Sequence, residues 1–115
     1  MAARIPKAIP GPPPKAPKAY TSFIARYPKL GEAWQRIAEA GNEGPLDPRA
    51  VRLIKLAIAI GAMREGAVHS SVRKALAMGI SKDEIMQVAA LAAGTLGMPS
   101  TVAIYTWIDD EMPKG

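Results

Sequence analysis

Val51-Arg52-Leu53-Ile54-Lys55-Leu56-Ala57-Ile58-Ala59-Ile60 is the stretch whose reading decides the fold. Its only polar positions, Arg52 and Lys55, stand three apart and share one face of a helix. Every other direction around the cylinder is apolar, which describes a helix surrounded by protein rather than one lying on a surface. Asp47-Pro48 opens it, because Asp accepts from the free amides of a first turn and Pro suits that turn. Gly61-Ala62-Met63-Arg64-Glu65-Gly66-Ala67-Val68-His69-Ser70-Ser71 then reads as a turn, left by a short segment from Val72 to Met78 that stops at Gly79. Ser81 and Glu84 form a capping box that starts a further helix, apolar nearly all round and running to about Leu96. The sole histidine, His69, lies in the middle of this unit from Arg49 to Gly94, so any reactive centre is expected here.

Outward from that unit the pattern stays helical. Ala19 to Tyr27 puts Tyr20, Phe23, Ile24 and Tyr27 at helical spacing and is ended by Pro28. Lys29 to Ala40 carries Leu30, Ala33, Trp34, Ile37 and Ala38 on one stripe, with Gly41 as its stop. Pro99 begins a last helix, to about Asp110, whose apolar stripe is again wider than one face. No stretch alternates with the period of a strand. The fold class is therefore all-α, a small bundle of about five to six helices. A chain of 115 residues has too little volume for its surface to enclose two such apolar helices alone, so subunit contacts, and hence a homo-oligomer, are expected.

The formal net charge of +5 is unevenly spread. Residues 1–18 hold Arg4, Lys7, Lys15 and Lys18 with no acid, leaving eleven basic against ten acidic side chains in the remainder. The same stretch holds six of the eleven prolines, which favour extended, unbonded backbone. The chain thus divides into a Pro-rich basic arm (1–18) and a nearly neutral domain (19–115). A solvated arm, a basic arm for nucleic acid or an acidic surface, and a strap anchored by Ile5 and Ile9 on a neighbouring subunit are all open. Nucleic acid is not expected as a partner.

There is no cysteine, which removes disulfides, thiolate nucleophiles and Cys-ligated metals. One histidine is too few for a dedicated zinc site, so neither metal nor cofactor is expected. No apolar leader and no run of about 20 apolar residues is present, so a cytoplasmic protein with no membrane association is expected.

Arg52-Leu53-Ile54-Lys55-Leu56-Ala57, the run from Val72 to Ile85, and Leu96-Gly97-Met98-Pro99 stand in an order that resembles the carboxymuconolactone decarboxylase and AhpD-like alkylhydroperoxidase family. The resemblance covers about residues 47–110. It implies a small all-α bundle assembling as a homo-trimer or homo-hexamer. The peroxidase branch of that family uses Cys-x-x-Cys-x-x-x-His and a Glu at the start of the preceding helix. Counted back from Gly79, the histidine position falls on Ser71, the cysteine positions on Ala67 and Arg64, and the glutamate position on Arg52. Peroxide reduction by a thiol pair is thereby excluded. The decarboxylase branch keeps the histidine and lacks the cysteines, and resemblance to it implies lyase-type chemistry; here the histidine, His69, comes two residues earlier.

His69 and Glu65, four apart on a helix, are the candidate catalytic pair, since the carboxylate can orient the imidazole for proton transfer. A histidine bonded at a subunit interface is the plainer reading of the same pair. Arg52, Arg64 and Ser71 are the candidate substrate-binding residues, with Lys55 a further cation able to hold a carboxylate or phosphate. Ser71 lies roughly 200° round a helix from His69, so it is read as a cap or packing residue rather than a nucleophile. Three functions follow: acid–base chemistry on a small carboxylated metabolite, a non-catalytic oligomeric binding protein, and a scaffold presenting its basic arm.

Overall fold

A computed structural model describes residues 17–114, and the Pro-rich arm, except its last two residues, lies outside them. The described residues form six helices and no strand: α1 (Lys18–Arg26), α2 (Pro28–Gly41), α3 (Pro48–Gly61), α4 (Glu65–Ala77), α5 (Lys82–Leu96) and α6 (Met98–Asp109). None of these is long and apolar enough to cross a membrane.

α1 and α2 make a hairpin bent at Tyr27, and Gly31 is what lets them touch. A Cβ at Gly31 would come within 3.2 Å of the Ile24 Cβ. Neither helix buries a single residue, and Trp34 and Ile37 keep 60% and 62% of their surface exposed. α3 packs on α4 and α5, and α6 packs on α5 and α4, giving a four-helix body. Leu56 and Ile60 of α3, Val68 and Val72 of α4, Ile85 of α5, and Ile104 and Ile108 of α6 fill its centre. The anticipated caps form: Asp47 accepts from the Ala50 amide at 2.8 Å, and Ser81 and Glu84 exchange both capping-box bonds. Gly79 closes α4 at a φ of 86°, with its own amide bonded to Leu76 and that of Ile80 to Ala75, the paired bonds of a Schellman stop.

The long turn expected from Gly61 to Ser71 is the main departure. α4 already begins at Glu65, so only Ala62, Met63 and Arg64 link it to α3. The chain turns this tightly because α3 ends in a second Schellman pair, Met63 to Ile60 and Arg64 to Ala59. That motif puts Met63 in left-handed backbone at a φ of 55°, a position where glycine is usual. Gly66, Ser70 and Ser71 are modest helix formers, but Val68, Val72 and Ala75 recur on one face and are all fully buried. Packing of that face overrides local preference.

The apolar breadth of α3, α5 and α6 also has a visible consequence. Ile58 and Leu91 stay 64% and 72% exposed, and Met98, Val102 and Tyr105 are half or more exposed in the single chain.

Candidate functional site

α4 carries chemistry on both flanks of its buried face. Val68, Ser71, Val72 and Ala75 point into the body. Glu65, His69 and Arg73, spaced four apart, run down one flank, while Lys74 lies on the other, beyond Ser71. The two flanks meet different neighbours.

On the α3 side, Arg52 stands one turn before the fully buried Leu56 and therefore points inward. Its guanidinium donates from Nη1 to the Ser71 hydroxyl at 3.2 Å. Its Nε is buried without a hydrogen-bond partner. No carboxylate oxygen lies within 4.0 Å of Arg52, Lys55, Arg64 or Lys74 among the described residues. Burial pushes the Arg52 guanidinium below the usual arginine range. Lys74 is likewise held below the usual lysine range, first by burial and then by the charges of Arg52, Lys55 and Arg73. This seam is a concentration of positive charge with a neutral hydroxyl as its one direct partner.

On the other flank, the second residue after α6 lies against α4. Glu111 Oε2 is 2.6 Å from His69 Nδ1 and accepts from Arg73 Nη1 at 3.1 Å. Glu65 Oε2 is 3.3 Å from His69 Nε2. The Glu111 side chain is 19% exposed and that of Glu65 58%, so Glu111 is the firmer partner. Ionised carboxylates only accept, so the ring donates to both at once only when both its nitrogens carry hydrogen.

The anticipated site residues thus fall into two groups, Arg52 with Ser71 and His69 with Glu65, and no hydrogen bond or ion pair joins the groups among the described residues. Arg64 is the N-cap residue of α4, exposed and without a side-chain capping bond. Sequence reasoning missed Glu111, Arg73 and Lys74. Asp109-Asp110-Glu111 is an acidic run at a helix end, and nothing local distinguishes the member that reaches back to α4. Lys74 could have been found from its spacing, three beyond Ser71.

A cleft of about 420 Å³ opens between α2 and α3. Trp34, Ile37, Leu46, Ile54 and Ile58 form its walls, and Lys55 and Lys74 contribute its cations. His69 does not line it. No group of three or more His, Cys, Asp or Glu side chains stands together as a metal site among the described residues.

The model of the carboxymuconolactone decarboxylase family matches residues 28–110, from α2 through the end of α6 and well over half of the chain. The chain belongs to the carboxymuconolactone decarboxylase family. No curated protein and no solved structure matches it. Within the carboxymuconolactone decarboxylase family frame, the glutamate and histidine positions that the resemblance set on Arg52 and Ser71 are the two residues now found in contact. The contact is between a guanidinium and a hydroxyl. A proton cannot be relayed between these two, because arginine holds its proton at any working pH. They can hold an anion.

Proposed function

We propose that this member of the carboxymuconolactone decarboxylase family binds a small carboxylated metabolite at the α3–α4 seam and works without thiol chemistry. The observation that carries the reading is Arg52: a guanidinium drawn into the protein beside a neutral hydroxyl, with a buried Nε left unbonded. Such a group costs folding free energy unless something supplies the missing negative charge. A perturbed charge left without a carboxylate partner is a recurrent feature of ligand sites. Lys74 and Lys55 add to the attraction, and Ser71 offers a hydroxyl beside the bound oxygen. The reading includes a cytoplasmic homo-oligomer, trimeric or hexameric, whose subunits cover the apolar faces left open in the single chain. Nucleic acid has no part in it.

Titration calorimetry with succinate and inorganic phosphate tests it. Binding to the wild type should weaken on the order of tenfold or more in Arg52→Met, the scale of a lost charged hydrogen bond. Equal binding by both proteins removes Arg52 as the anchor. Hydroperoxide turnover with a dithiol reductant should stay at the buffer background, since no sulfur nucleophile is present.

A second reading, lyase-type acid–base chemistry, is favoured by His69. Its Nδ1 is held by Glu111 and its Nε2 faces the more exposed Glu65, an imidazole oriented for proton transfer. If a carboxylated substrate is turned over, His69→Ala should lower kcat on the order of 10²-fold and leave the oligomer intact. Dissociation of the assembly by that substitution assigns His69 to an interface instead.

A further inference from the structure

The cleft between α2 and α3 combines two properties, an apolar wall and a cationic lining. Its walls, Trp34, Ile37, Leu46, Ile54 and Ile58, are apolar and remain about half exposed or more. Its charged lining consists of two lysines and no acid. Neither Lys55 nor Lys74 has a carboxylate within 4.0 Å among the described residues. The volume of about 420 Å³ falls in the range of roughly 300–1,000 Å³ common to small-molecule sites.

We propose that this cleft binds an aliphatic monocarboxylate, its methylene chain against the apolar walls and its carboxylate between Lys55 and Lys74. Charge complementarity selects an anion for the rim, and the walls select a single charged end. A second carboxylate lying on Ile54 or Ile58 would lose its water with no donor to replace it. A bare phosphate would leave the walls unused. Lysine stems lie along apolar surface with the ammonium at its edge, which is the placement a fatty-acid head meets. The bound carboxylate also relieves the crowding of Lys74 by Arg52, Lys55 and Arg73. This inference rests on the anion-binding reading for its unpaired cations at the α3–α4 seam and names a ligand class for them, with the head group one helical turn from Arg52 and Ser71, at Lys55 and Lys74.

The test is a chain-length series of hexanoate, octanoate and decanoate, below their micellar concentrations, added to the full-length protein. Trp34 reports by fluorescence in a Trp107→Phe background, since Trp107 is the other tryptophan. Titration calorimetry on the wild type gives the same answer should that background misfold. Affinity is expected to rise about fourfold for each added methylene, with a change in Trp34 emission, and to fall at least about tenfold in a Lys55→Ala, Lys74→Ala double variant. A flat series with Arg52-dependent succinate binding overturns the cleft inference and leaves the anion-binding reading standing. No binding by any carboxylate overturns both. No fatty-acid binding by an oligomer that Trp34→Asp dissociates identifies the cleft as a seam between copies of this chain, and also overturns the inference.

Discussion

Arg52 donates to the Ser71 hydroxyl across the α3–α4 seam at 3.2 Å, and this is the only hydrogen bond its side chain makes among the described residues. The contact links the second turn of one helix to the middle of the next and sets a cation into the body of the bundle. Its folding cost and its capacity to hold an anion are two sides of one arrangement.

Arg52→Met should therefore stabilise the unliganded protein. The methionine keeps the packing of the stem and removes a buried donor with no partner, a gain of about 1 kcal/mol on the scale of an unsatisfied group. Urea denaturation of the two proteins in an anion-free buffer checks this. A less stable variant means that the guanidinium is satisfied in solution.

Lys74 makes stability depend on alkaline pH in a definite direction. Its folded pKa lies below the unfolded value of 10.5, so at neutral pH both states hold the proton and the folded state bears the full penalty. As pH rises through the folded pKa towards 10.5, the folded state releases its proton first and stability recovers. Lys74→Met should be more stable than the wild type at pH 7, with the difference shrinking as pH approaches 10.5. A difference that grows with pH reverses the assignment.

Glu111→Gln should cost more than Glu65→Gln. Glu111 is largely buried and serves both His69 and Arg73, so losing its charge should cost about 1–2 kcal/mol. Glu65 is mostly exposed, and its loss should cost under about 1 kcal/mol. Thermal or urea unfolding of both variants gives the order, and the opposite order would show that the contact after α6 is not formed.

Met63→Gly should stabilise the turn between α3 and α4 by about 1 kcal/mol, because a left-handed φ is costly for any residue with a Cβ. Met63 is 38% exposed, so the packing its side chain gives up offsets part of that gain. Destabilisation by this change would mean that the Met63 side chain holds the turn through contacts with another subunit.

Native mass spectrometry should find a homo-oligomer at micromolar concentration. Leu91, Met98, Val102 and Tyr105 of α5 and α6 are all half or more exposed in the single chain, apolar surface of the kind that a partner subunit covers. A stable monomer would remove the oligomeric reading, and with it the assignment of those faces as subunit contacts.

Sequence by itself determined the helices of this protein and most of their ends. Asp47, Ser81, Glu84 and Gly79 act through amides within a few residues, so their spacing alone announces a start or a stop. The broad apolar faces of α3 and α5 were legible for the same reason, since helical period converts spacing into direction. The absence of cysteine settled the thiol question before any coordinate. Only tertiary structure decided the rest. The stretch from Glu65 to Ser71 reads locally as a turn and became helix because Val68 and Val72 gain more from burial than Gly66, Ser70 and Ser71 lose in propensity. His69 and Glu111 are separated by 42 positions along the chain, and Arg52 and Ser71 by 19. Which carboxylate reaches the histidine, and which cation is left without one, depend on how α6 and α3 cross α4. No local rule carries that information, because a charge is paired or orphaned by its neighbours in space.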